Sequence, residues 1–145
     1  MVLRFCGNAI GGTNPNHGSL IYNSRCMYSP QLLDHFQNPR NTGEIAEPHA
    51  VAEIENPVCG DVLRLTLKVE AGCVKEIRFR AKGCVPVMAC ASALTELVTG
   101  KTLAEARSIG RDSLIAAVGG LPQASAHAAQ LAMDVLAAAL RQIRV

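Results

Sequence analysis

Tryptophan is absent from this 145-residue chain, and the only aromatic residues are two tyrosines and three phenylalanines. A core must therefore be built from Leu, Val, Ile and Ala, which the apolar share of 49% supplies. Charge of one sign is also scarce. Fourteen Lys and Arg stand against 12 Asp and Glu, a net charge of +2, interleaved rather than clustered. That balance gives no ground for nucleic acid or an anionic membrane as partner and reads as a solvated surface. No apolar run approaches the ~20 residues of a membrane span. The length suits one domain with a real core.

Six cysteines are present, but the first 26 residues show neither a sustained apolar region nor a cleavage-like site. The sequence therefore predicts reduced thiols and a cytoplasmic setting rather than a disulfide framework. Residues 1–26, rich in Gly and Asn, are expected to be a disordered extension, with a single domain over 27–145. Cys6 and Cys26 lie in that extension and are assigned no role.

The local signals give an element order. Ser29-Pro30 is an N-cap followed by Pro in the first turn, so a short helix should run to about Gln37, where Pro39 stops it. Residues 50–56 alternate weakly as a first strand. Residues 62–70 alternate cleanly, with Leu63, Leu65, Leu67 and Val69 on one face and Arg64, Thr66, Lys68 and Glu70 on the other. Ala71-Gly72 should turn the chain into an antiparallel partner carrying Ile77, Phe79 and Ala81. From Pro86 the period becomes helical, with Val87, Cys90, Leu94, Leu97 and Val98 on one stripe and Gly100 as the stop. Two short helices around 102–108 and 111–118 follow. After Gly119-Gly120-Leu121-Pro122, a long Ala-rich helix from about Ser125 to Gln142 should use Met133, Leu136, Leu140 and Ile143 as its bulky stripe. The pattern predicts an α+β fold, a three-stranded antiparallel sheet with one dry and one wet face and helices packed on the dry one.

Cys59, Asp61, Cys84 and His127 fall on loops or element ends and offer two thiols, a carboxylate and an imidazole. These donors form a four-ligand set suited to zinc or ferrous iron. Each has a plainer reading: Cys59 as a small buried hydrophobe, Asp61 as a turn residue entering a strand, His127 as a surface or capping residue. Cys84 stands near a helix N-terminus, where unpaired backbone N–H groups favour a thiolate. Cys90 shares the stripe of Val87 and Leu94 and reads as core. Cys73, beside Gly72, reads as an incidental strand residue at the far end of the hairpin from Cys84.

Several short segments, taken in order, tilt the balance. Asp34-His35-Phe36 with Asn38-Pro39-Arg40-Asn41, Asn56-Pro57-Val58-Cys59-Gly60-Asp61, Lys82-Gly83-Cys84, Gly100-Lys101-Thr102-Leu103 and Leu121-Pro122 through His127 together resemble the IscU/NifU-type iron–sulfur cluster scaffold family. The resemblance runs over nearly all of residues 28–143. It implies that fold, no enzymatic activity, and a labile [2Fe–2S] cluster or iron, with zinc as an alternative occupant, on Cys59, Asp61, Cys84 and His127. It implies a cysteine desulfurase as sulfur donor and apo iron–sulfur proteins as recipients, and leaves open whether one chain or a homodimer holds the cluster. Two departures stand out. Ala128 occupies the position of the family's third cluster-binding cysteine, the thiol associated with sulfur acceptance. Only Leu121 and Pro122 match the segment read by a dedicated Hsp70-type chaperone, so the sequence gives weak ground for that partner. The alternative implied is a relative that binds zinc or iron and modulates a desulfurase without assembling clusters. A thiol enzyme acting through Cys84 and His127 ranks last, since no substrate-pocket signature accompanies the pair.

Overall fold

A computed structural model of the chain describes residues 28–57 and 60–143. The expected extension over 1–26 and the candidate ligand Cys59 lie outside the described residues. The elements run α1 (Pro30–Gln37), β1 (Ala50–Asn56), β2 (Asp61–Glu70), β3 (Cys73–Lys82), α2 (Val85–Val98), α3 (Leu103–Ser108), α4 (Arg111–Ala117), a 3-10 turn (Gln123–Ser125) and α5 (Ala126–Arg141). The sheet is antiparallel in the order β1-β2-β3.

Each boundary has a local cause. Ser29 Oγ accepts from the Leu32 amide at 2.9 Å, capping α1, and donates to the Val118 carbonyl, tying that cap to the end of α4. The β2–β3 turn uses two left-handed residues, Ala71 (φ 56°) and Gly72 (φ 77°), the backbone that joins twisted strands most tightly. Thr102 and Glu105 form a reciprocal capping box at α3.

Leu63, Leu65 and Leu67 are fully buried beneath α2 and α5, with Ile77 and Phe79 of β3 and Ala50 and Ala52 of β1. Val69 departs from the expected dry face and is only half-buried, because the β2–β3 register shifts between Lys68 and Val69. The opposite face is not wholly wet. Thr66 is buried and its Oγ1 accepts from the Ile45 amide at 3.1 Å, because the segment before β1 folds across it. Residues 41–43 also run along the outer edge of β3, with Phe79 N–H donating to the Asn41 carbonyl (3.0 Å) and Gly43 N–H donating to that of Phe79 (2.9 Å). This covers an edge that would otherwise offer unpaired backbone groups.

Two helices differ from their expected stripes. α2 is buried on almost every side, Ser92 and Thr95 included, because it packs against β3, α1, α4 and α5 together. In α5 Met133 is only partly buried and Ile143 lies beyond the helix end. Leu136 and Leu140 are buried as expected, and Ala128, Ala129, Leu131, Ala132, Val135 and Ala139 complete the buried face. Four of those eight residues are alanines, so small side chains share with bulky ones the face of a helix that packs on β1 and β2.

Candidate metal centre

The antiparallel register brings three separated residues to one end of the sheet. Asn56 at the end of β1 pairs with Asp61 at the start of β2, and Val62 pairs with Lys82 at the end of β3. The chain leaves β3 through Gly83 and turns at once into α2, with Cys84 as N-cap in an extended conformation (φ −77°, ψ 168°). Pro86 lies in the first turn of that helix, where a missing N–H costs nothing. His127 is the second residue of α5, which reaches the same end across β1 and β2.

One donor atom from each of Asp61, Cys84 and His127 lies within 4.8 Å of the others. Asp61 is only 2% exposed. Its Oδ1 accepts from the Cys84 amide at 3.2 Å, one of the N-terminal donors that a helix leaves unpaired. Its Oδ2 stands 3.9 Å from Cys84 Sγ and 3.6 Å from His127 Nε2. The latter separation is too long for a hydrogen bond, and Nε2 is a buried polar atom with no hydrogen-bond partner. Orphaned buried nitrogens are rare in folded proteins and need a reason. A cation held between these residues would supply one, because a donor atom of each lies within 4.8 Å of the others.

Among the described residues, the other two cysteines separate cleanly. Cys90 is fully buried, and burial, together with the nearby Cys84 sulfur, pushes its thiol up to about 12. It stays a neutral core residue. Cys73 pairs with Glu70 at the opposite end of the β2–β3 hairpin and bridges to Thr102. Ala128, next to His127, is 1% exposed and belongs to the core.

In the sequence, Gly83 figures only as the residue before Cys84. The structure gives it a closer relation to the site. A side-chain carbon at position 83 would overlap Asp61 Oδ1. Its only sequence signal is that a glycine directly precedes a candidate ligand where a strand becomes a helix.

The family model of the NifU-like N terminal domain matches residues 27–144. The chain belongs to this family. Among relatives of the NifU-like domain, the protein named iron-sulfur cluster assembly scaffold protein IscU 1 of Archaeoglobus fulgidus is 43% identical over 114 residues, 79% of this chain and 74% of that protein. The mitochondrial iron sulfur cluster assembly protein 1 of Eremothecium gossypii is 37% identical over 132 residues, 88% and 84% of the two chains. A crystal structure of a nitrogen-fixing NifU-like protein (N-terminal) from Brucella abortus superposes with a TM-score of 0.68 at 26% identity. It covers 86% of this chain and 97% of its own. The three-stranded sheet with its helices is thus the fold of NifU-like proteins. Among the described residues no helix is long and apolar enough to cross a membrane.

Proposed function

We propose that this chain is an iron–sulfur cluster assembly scaffold that gathers iron and sulfide as cargo, holds a labile [2Fe–2S] cluster and passes it to apo-proteins. The observation that carries the reading is the convergence of Asp61, Cys84 and His127, with the orphaned His127 Nε2, in a member of a scaffold family. Cys59, two residues before Asp61 in the chain, completes the donor set. Thiolates are the usual holders of such clusters, and imidazole can replace them. The Asp61 carboxylate is a harder donor than sulfur, so its bond to iron is the weak one. A scaffold benefits from that weakness, because the cargo must leave. Zinc or ferrous iron alone would occupy the same donors before assembly. A cysteine desulfurase in the cytoplasm is the sulfur source that fits this role, and the protein itself performs no catalysis.

Ala128 favours a second reading. It has neither a nucleophile nor a donor atom, so sulfur must be received at a remaining thiol or not at all. In the second reading the chain binds zinc or iron and modulates a desulfurase without building clusters.

Anaerobic reconstitution with ferrous iron, cysteine, a desulfurase and dithiothreitol to reduce the transferred sulfur to sulfide, followed by visible absorption, separates the two. This chain and Ala128→Cys are compared side by side. Cluster bands in both support the scaffold. Bands in Ala128→Cys alone support the second reading, and protein that binds neither zinc nor iron and shows no bands in either form contradicts both.

A further inference from the structure

Gly83 lies directly beneath the Asp61 carboxylate. An added side-chain carbon would overlap Oδ1 and stand 2.9 Å from Cγ and 3.1 Å from Cβ of Asp61. At Gly43, Gly60, Gly72, Gly100, Gly110 and Gly120, the same addition meets nothing within 4 Å. At Gly119 the nearest atoms would be Gln31 Oε1 at 2.6 Å and Ser29 Oγ at 2.8 Å. Asp61 is held in place. It is 2% exposed, it is the first residue of β2, and Oδ1 is held by the Cys84 amide at 3.2 Å. The carboxylate therefore occupies the space that a side chain at 83 would take.

We infer that Gly83 is the positioning residue that gives this site its oxygen donor. With no side chain at 83, Oδ1 anchors on the Cys84 amide. Oδ2 is then turned toward Cys84 Sγ at 3.9 Å and His127 Nε2 at 3.6 Å. The two oxygens divide the work: one fixes the carboxylate and the other faces the metal volume. The inference rests on the reading of Asp61, Cys84 and His127 as ligands. It also has a consequence for selectivity. A carboxylate suits hard and borderline ions, whereas the thiolate and imidazole suit softer ones. A side chain at 83 displaces the carboxylate and leaves the soft donors in place. Ferrous iron should then lose more affinity than cadmium.

A double-mutant cycle tests this on the full chain. Dissociation constants for ferrous iron and for cadmium are measured anaerobically against a chromophoric chelator. The proteins are the wild type, Gly83→Ala, Asp61→Ala and the double variant, each checked by circular dichroism and thermal melting. Gly83→Ala should weaken ferrous iron on the order of tenfold, the scale of a lost supporting contact at a metal site, and cadmium less. The double variant should bind iron no more weakly than Asp61→Ala alone, because the clash has gone with the carboxylate. The backbone at Gly83 has φ 156°, so some loss of melting temperature from Ala is expected in both backgrounds. The loss of affinity is expected only where Asp61 is present, which a general structural role would not produce. Folding of the double variant but not of Gly83→Ala would also support the inference. Wild-type iron affinity in Gly83→Ala, full additivity in the cycle, or failure of both Gly83→Ala and the double variant to fold would each overturn it. A wild type that binds neither ion instead refutes the ligand reading itself, and this inference with it.

Discussion

Two histidines flank α2, and they live in opposite circumstances. His35 is buried against the middle of the helix with its Nδ1 matched. Its Nδ1 lies 2.8 Å from Ser92 Oγ and 3.3 Å from Arg40 Nη1. Arg40 can only donate, so Nδ1 accepts and the ring proton sits on Nε2, facing Glu96 at 3.5 Å. Ser92 Oγ in turn accepts the Arg40 amide at 2.9 Å, and Thr95 Oγ1 accepts from Asn41 Nδ2 at 3.1 Å. Arg40 supplies the cation there, pairing with Asp34 and Glu96. At the helix N-terminus, His127 faces a carboxylate and a thiol, and its Nε2 has no hydrogen-bond partner. The first group is closed by the protein's own arginine. The second also sets a carboxylate beside an imidazole, but among the described residues no arginine pairs with it. Under the proposed function, that difference separates a structural histidine from one placed to take a ligand.

The largest effect should come from breaking the open end. Cys84→Ala should lower zinc affinity by on the order of 100-fold or more, at the upper end of what changes around a metal site cost. The circular dichroism spectrum should be unchanged. Chelator competition measures the first and wavelength scans the second. A variant that binds zinc as tightly as the wild type would dissolve the contrast between the two histidines.

Breaking the closed end should do the reverse. Ser92→Ala leaves His35 Nδ1 and the Arg40 amide short of a partner in a buried setting. The expected cost is about 1–3 kcal/mol of unfolding free energy, read from urea denaturation. Zinc affinity measured on the folded protein should not change. Coupled losses in both assays would mean that the two ends are one unit.

The closed end also predicts a pH dependence. Burial, helped by the Arg40 charge and opposed by Glu96 and Asp34, holds His35 below its ordinary 6.5. A histidine that resists protonation in the folded state contributes full stability above its unfolded pKa of about 6.5. That contribution falls as pH drops through this value toward the lower folded one. The melting-temperature difference between wild type and His35→Gln should therefore shrink on acidification through that window. A difference that grows instead would reverse the sign and place a stabilised positive charge on the ring. The smallest effect is expected from Cys73→Ser at the far end of the hairpin, which should leave zinc affinity unchanged in the same chelator titration.

Much of this architecture is legible in the residues themselves. Ser29-Pro30 starts α1 where a cap and an early proline must, the alternation from Leu63 to Leu67 marks the dry face of β2, and Gly100 follows the end of α2. The periodic signal weakens where a helix is buried all round. Nothing in the spacing of Ser92 and Thr95 tells that Arg40 and Asn41 dock on them, because that contact is made by a loop. The alanine face of α5 escaped for a related reason. Bulk draws attention to Met133 and Ile143, yet small side chains share the buried face with Leu136 and Leu140. Asp61, Cys84 and His127 stand far apart in the chain, and residue chemistry alone left Asp61 and His127 with plainer readings. Ordered resemblance to a family grouped them, and the sheet register explains how they meet. Gly83 was legible only as the residue before Cys84, since the cradle it makes for Asp61 exists only in three dimensions.

X-ray absorption at the zinc edge of the metal-loaded full chain tests the central claim most directly. A mixed first shell is expected, with sulfur from Cys84 and Cys59, nitrogen from His127 and oxygen from Asp61, at the short distances of four-coordinate zinc. A shell of oxygen and nitrogen alone, or one that Asp61→Ala and His127→Ala leave unaltered, would contradict it.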